Sequence, residues 1–137
     1  MSGSGLTIIN NYWLEVTLKG NWHFPLPETQ EIAPGGSMKF PFIKFTGTLT
    51  IPRTTVLNIT DLSSKDMTIG EFSKKKFGLL YQCDGMTCAL RYDDASKTPV
   101  TIEISEWGQV HITVSGDGDI CLLDFCNIDI VKAKKVD

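Results

Sequence analysis

The sequence of 137 residues lacks any apolar run that approaches the roughly 20 residues a membrane-spanning helix needs. It also lacks an excess of basic residues, since 13 lysines and arginines stand against 16 acidic residues, a net charge of −3 at pH 7. Nucleic-acid-binding proteins usually carry a basic face, so we expect no nucleic-acid partner. The same negative charge argues against docking on anionic lipid by charge alone.

The residue sets that catalysis requires are also missing. Only two histidines occur, and His111 lies on the polar side of an alternating segment, where we expect a surface side chain. There is no Gly-x-Ser-x-Gly nucleophile elbow, and the carboxylates are scattered among turns and strand ends instead of forming a pair across a cleft. We therefore predict no catalytic residues, no cofactor and no enzymatic activity.

The sequence also lacks helical periodicity and instead shows the alternation that is typical of β-strands. Val100–Ile104 and Val110–Val114 each alternate apolar and polar residues. Gly108, in the stretch between them, can adopt the positive φ of a tight turn. Alternation and turn chemistry together predict a β-hairpin over these residues.

Short strand patterns separated by turn residues recur along the chain, which is typical of an all-β protein. We predict a single-domain antiparallel β-sandwich over residues 6–137, preceded by a flexible leader or a remnant of cloning at residues 1–5. Residues 120–131 begin with an apolar run, so we interpret them as one central strand that bends near Cys126.

The four cysteines lie in two Cys-x-x-x-x-Cys pairs, the first of which is Cys83 and Cys88. Asp84-Gly85 is a turn dipeptide, and a hairpin with a four-residue tip would place Cys83 opposite Cys88 at bonding distance. We predict a disulfide between these two residues. Free buried thiols and a zinc site built from all four cysteines are the alternatives, and we assign no metal ligands.

Aromatic residues near turns form the candidate binding surface, because tryptophan and tyrosine combine an apolar body with a polar edge. Trp107 is at the tip of the predicted hairpin, where a large ring is hard to bury, so we expect it to be exposed. Trp22 and His23 lie in the segment GNWHFPLPE, and the Trp22 ring turns either inward to the core or outward to a ligand. Tyr12 and Trp13 lie at the other end of the strand or hairpin arm that leads to Trp22 and His23.

A basic run, Lys74-Lys75-Lys76, is flanked by two phenylalanines. Such a run either contacts phosphate headgroups or another polyanion, or is a solvated loop that keeps an edge strand from pairing. Together with the aromatic residues and His23, these three lysines complete the predicted ligand-binding set.

The N-terminal third contains a series of turn and aromatic motifs: Asn10-Asn11, Gly20-Asn21-Trp22, Pro25 to Pro27, Ile32-Ala33-Pro34-Gly35-Gly36 and Gly47-Thr48. In this series the chain resembles the aegerolysin-like proteins and related small crystal-type toxins. The resemblance implies a small β-sandwich without enzymatic activity that binds particular membrane lipids, with Trp22 as a lipid contact. It also implies, for some members, action with a larger pore-forming partner protein.

Three hypotheses of function follow from these observations. The first is a membrane-lipid-binding protein related to cytolysins, and the second is a lectin-like module whose aromatic faces stack on a glycan. The third is a secreted interaction protein, such as an effector or inhibitor, that presents the Cys83–Cys88 hairpin. We expect a secreted or membrane-associated protein, and a cytoplasmic location is the alternative that free thiols would indicate.

Overall fold

The computed structural model describes residues 5–22, 26–41, 45–61, 77–83, 86–92, 99–114, 119–122 and 128–132, with side chains described over 5–22, 26–41, 45–60 and 99–113. Within these ranges every regular element is a β-strand. The strands are β1 (Leu6–Asn10), β2 (Val16–Asn21), β3 (Thr29–Ile32), β4 (Ser37–Phe40), β5 (Thr46–Ile51), β6 (Thr55–Asp61), β7 (Phe77–Cys83), β8 (Met86–Tyr92), β9 (Val100–Ile104), β10 (Val110–Val114), β11 (Asp119–Leu122) and β12 (Ile128–Lys132).

The strands form two sheets, which confirms the predicted all-β sandwich. The five-stranded sheet has the order β12-β10-β9-β1-β4, and the seven-stranded sheet has the order β11-β8-β7-β6-β5-β2-β3. The pairings are antiparallel with two exceptions, β1 with β9 and β10 with β12, which are parallel. Parallel neighbours need a long crossover connection, and here the chain builds strands of the other sheet between β1 and β9 before it returns beside β1.

The core lies between the two sheets and follows from the period of two along each strand. Buried and half-buried residues alternate strictly along β1 and along β9. Residues of both sheets join one apolar cluster, which explains why the two sheets stay together. Its members are Leu6, Ile8, Tyr12, Val16, Leu18, Trp22, Ile32, Phe40, Phe45, Leu49, Ile51, Leu57, Ile59, Val100, Ile102, Ile104, Val110 and Ile112.

The predicted hairpin is present as β9 and β10. Ile104 pairs with Val110, and the five residues between them form the turn. The Gly108 N–H donates to the Ser105 carbonyl oxygen at 2.9 Å, and Gly108 has a φ of 83°. His111 lies half-buried on β10 directly opposite Glu103, on the polar side of the strand as predicted.

The prediction of one central strand over residues 120–131 is wrong. The chain forms β11 at one edge of the seven-stranded sheet and β12 at one edge of the five-stranded sheet. Cys126 lies outside the described residues. An apolar run predicts burial of a segment, but it does not predict which sheet the segment joins.

The start of the domain is tied to the hairpin. Gly5 is buried, and its carbonyl oxygen accepts a hydrogen bond of 3.0 Å from the Val100 N–H. Residues 1–4 of the predicted leader lie outside the described residues.

Candidate functional site

Four of the described connections meet at one end of the sandwich: the β1–β2 connection (residues 11–15), the β3–β4 turn (33–36), the β5–β6 turn (52–54) and the β9–β10 turn (105–109). Hydrogen bonds join them. The Asn11 N–H donates to the Ile104 carbonyl oxygen at 2.8 Å, and the Gly35 N–H donates to the Asn10 carbonyl oxygen at 2.8 Å. We call this region the tryptophan end, defined by Trp13, Arg53 and Trp107.

Asn10 organises the base of the tryptophan end. Its side chain is fully buried, and its Nδ2 donates to the carbonyl oxygens of Leu14 at 2.9 Å and Ile32 at 3.0 Å. Its Oδ1 accepts the Tyr12 N–H at 2.9 Å. A buried amide with three partners stabilises one loop conformation, since each of these backbone groups would otherwise lose its hydrogen bond away from water.

Trp13 is exposed on the β1–β2 connection and contacts Arg53 on the β5–β6 turn. The indole is 59% exposed, and the Arg53 guanidinium carbon lies 5.3 Å from the ring centroid. This is the distance range of a cation–π contact, which is worth roughly 0.5–1 kcal/mol at an exposed site. Arg53 is the only basic residue of the four connections. Its contact holds it against Trp13, which with Trp107 is one of the two exposed tryptophans among the described residues.

The backbone at Arg53 is strained. Its φ is 66°, and it is the only non-glycine residue with a positive φ in the described chain. Glycine is the usual residue at such a position, and another residue there costs about 1 kcal/mol or more. The turn is held by the Thr54 N–H and the Thr54 hydroxyl, which both donate to the Ile51 carbonyl oxygen at 3.1 Å.

Trp107 projects from the β9–β10 turn and is 74% exposed, in agreement with its hairpin-tip position. The Ser105 Oγ accepts the N–H groups of Trp107 at 3.2 Å and of Gln109 at 3.0 Å. Gly108 packs so closely that a Cβ at this position would collide with the Thr54 side chain. The β9–β10 turn therefore rests directly on the β5–β6 turn, and Trp107 and Arg53 belong to one surface.

Tyr12 is a correction to the predicted ligand-binding set. Its ring is only 5% exposed, and its hydroxyl donates to the Pro52 carbonyl oxygen at 3.0 Å. Tyr12 is thus a supporting residue, which anchors the β5–β6 turn beneath Arg53.

Trp22 is the second correction, because its ring turns inward. It is 1% exposed and stacks on Phe40 with centroids 4.3 Å apart and planes at 26°. Phe45 meets the same ring at 4.6 Å and 51°. The indole belongs to the core at the end opposite Trp107, so it does not offer a surface contact to lipid or glycan.

The remaining predicted contacts lie elsewhere. His23 and the run Lys74-Lys75-Lys76 lie outside the described residues. Sequence reasoning, on the other hand, missed Arg53 and the supporting role of Asn10. The signal for Arg53 was the Pro-Arg-Thr sequence between two strand patterns, where Pro-Gly is the common turn chemistry.

The predicted four-residue tip between Cys83 and Cys88 is wrong. Cys83 pairs with Met86, and Cys88 pairs with Tyr81. Cys83 and Cys88 are therefore diagonal positions two residues apart in register, for which the Cα separation is about 7–8 Å. Disulfides usually need Cα atoms closer than about 7 Å, so this register argues against the predicted bond.

No group of three potential metal ligands occurs among the described side chains. In the part of the chain that is described, no helix is long and apolar enough to span a membrane. Comparisons with protein-family models, curated proteins and solved structures find no match, so the family resemblance of the N-terminal third stays a prediction.

Proposed function

We propose that this protein is a non-catalytic binding module that recognises a membrane lipid surface through its tryptophan end. The observation that carries the proposal is the presence of two exposed tryptophans, Trp13 and Trp107, on turns of the same end. The family resemblance of the N-terminal third supports the same function, and it adds a larger pore-forming protein as the proposed partner.

Tryptophan suits this role because its amphipathic ring is stable at the level of the lipid headgroups. Burying a large exposed ring is worth roughly 1.5–3 kcal/mol, so two rings that enter together supply a useful affinity without basic residues. The net charge of −3 means that attraction to anionic lipid contributes little. Binding should therefore persist at high salt, which screens exposed charges.

The test is cosedimentation with phosphatidylcholine vesicles at low and high ionic strength. We expect Trp13→Ala and Trp107→Ala each to weaken partitioning about tenfold, since each removes roughly 1.4 kcal/mol or more of ring burial. Val56→Ala is the matched control, because Val56 is 44% exposed on β6 and lies on the sheet and not on a turn. Equal binding by wild type and the double tryptophan variant would exclude the proposal.

A glycan is the second candidate ligand, and the exposure of Trp107 favours it. Arg53 covers part of the Trp13 ring, whereas Trp107 at 74% exposure has a face available for stacking on a sugar. A glycan array with wild type and Trp107→Ala separates the two functions. Glycan binding that requires Trp107, together with no vesicle binding, would replace the lipid proposal.

The third hypothesis, an interaction protein that presents the Cys83–Cys88 hairpin, stays a prediction, and only its disulfide is made less favourable. The register of β7 and β8 does not place the two cysteines opposite each other.

A further inference from the structure

Arg53 is an isolated cation in an otherwise uncharged or acidic region. The four connections of the tryptophan end contain two acidic residues, Glu15 and Glu106, and no other basic residue. Arg53 is exposed, and no carboxylate of the described residues forms an ion pair with it. Its hydrogen-bond donors are thus available to a ligand and are not neutralised within the described part of the protein.

Three features restrict the position of the Arg53 guanidinium. The side chain lies against the Trp13 ring, the backbone is held at a φ of 66°, and the Tyr12 hydroxyl anchors the preceding Pro52 carbonyl oxygen. A surface arginine normally loses considerable side-chain entropy when it binds a ligand. Here part of that loss has already occurred in the free protein, which favours binding.

The shape of the guanidinium suits a phosphate ligand. The Trp13 indole contacts the guanidinium through the face of its ring, and the N–H groups of a guanidinium lie in the guanidinium plane. Those in-plane donors match two oxygens of one phosphate group, which is a short and strong form of charge-assisted hydrogen bonding. Persistent strain at a non-glycine residue is itself more common at functional sites than elsewhere.

We infer that Arg53 is the phosphate-binding residue of the tryptophan end and that the phosphate belongs to a phospholipid headgroup, an inference that rests on the proposed function. Trp13 and Trp107 enter at the headgroup level, which brings the Arg53 side chain beside them to the plane of the phosphates. Since the four connections carry one basic and two acidic residues, the site takes a single phosphate and needs no excess of anionic lipid.

The experiment compares two vesicle surfaces of zero net charge, only one of which contains phosphate groups. One is phosphatidylcholine, and the other is digalactosyldiacylglycerol, which has no phosphate. We expect Arg53→Gln to weaken partitioning about tenfold on the first and to leave it unchanged on the second, because only the first loses charge-assisted hydrogen bonds. Arg53→Lys should fall between wild type and Arg53→Gln on phosphatidylcholine, since it keeps the charge without the paired donors.

Two control variants keep the result interpretable. Lys39→Gln removes an exposed positive charge from β4 and should bind both surfaces as wild type does. Arg53→Gly removes the side chain at a φ that suits glycine, so it should fold and show the same phosphate-specific loss as Arg53→Gln.

The outcomes separate this inference from the proposed function. Equal effects of Arg53→Gln on both surfaces, or no effect on either, would overturn the phosphate assignment while lipid binding stands. Wild type that binds neither surface would overturn both. A titration with inorganic phosphate distinguishes the remaining source: Arg53-dependent binding of free phosphate without vesicle binding would assign the site to a soluble anion and overturn the lipid assignment.

Discussion

Trp22 at one end of the sandwich is 1% exposed, whereas Trp107 at the other end is 74% exposed. Both residues lie next to strand ends in segments rich in turn residues, and both were candidate ligand contacts. The difference arises from the space that neighbouring strands provide. Phe40 and Phe45 cover the Trp22 ring, whereas Trp107 lies on the β9–β10 turn and stays exposed.

Two glycines leave space for Phe45, the ring that packs against Trp22. Gly20 on β2 pairs with Gly47 on β5, and the Phe45 ring packs over both. A Cβ on Gly47 would lie 2.6 Å from Phe45 Cζ and 2.7 Å from the Gly20 Cα, so neither glycine position tolerates a side chain without movement. Phe45 then supports Trp22, and Phe40 closes the stack. We call these three rings, Trp22, Phe40 and Phe45, the aromatic plug.

The two ends of the sandwich therefore have different roles. The aromatic plug stabilises the fold by burying large rings, and the tryptophan end keeps large rings in solvent on a network of short hydrogen bonds. The contrast indicates that an aromatic residue beside a turn is a weak guide to binding until the residues that could cover it are known.

The largest expected effect is on the aromatic plug. Trp22→Ala should lower the free energy of unfolding by about 3–5 kcal/mol, because it removes a stacked ring and opens a cavity. Urea denaturation monitored by circular dichroism measures the loss. Trp107→Ala is the matched substitution at the other end and should change stability by less than about 0.5 kcal/mol. Similar losses for the two variants would show that the ends do not differ as described.

An intermediate effect is expected where the two turns of the tryptophan end touch. Gly108→Ala should lower stability by about 1–2 kcal/mol and weaken vesicle binding, because the new methyl group meets Thr54 at a strained φ. Thr54→Ser removes the methyl group of Thr54 but keeps the hydroxyl that donates to Ile51.

The double variant Gly108→Ala with Thr54→Ser should therefore recover part of the loss, and a double-mutant cycle measures that coupling. Strict additivity of the two substitutions would indicate that the β9–β10 turn does not rest on the β5–β6 turn.

The smallest effect is a gain. Arg53→Gly should raise the free energy of unfolding by up to about 0.5 kcal/mol, since relief of the positive φ slightly exceeds the loss of one exposed cation–π contact. Thermal unfolding measures the change, and Arg53→Gln is the control because it keeps a side chain at the strained position. A loss of stability in Arg53→Gly would mean that the Trp13 contact contributes more than the strain costs.

Local patterns predicted part of this molecule well. The β9–β10 hairpin, the turn at Gly108 and the exposure of Trp107 follow from residues fewer than 15 positions apart, and the structure agrees with each. The position of Arg53 did not follow, because its neighbour Trp13 is 40 residues away in the chain. Asn10 likewise looked like a polar residue at a strand end, and its partner Ile32 is 22 residues distant.

The sequence by itself determined the strand-forming alternation, the two-faced character of β9 and β10 and the tip position of Trp107. These features depend on steric and hydrophobic preferences that act within a few residues. Only the tertiary structure decided that Trp22 faces inward and that β1 and β9 run parallel. Each of these depends on which distant strands become neighbours, a choice made by the packing of the whole core and not by any one segment.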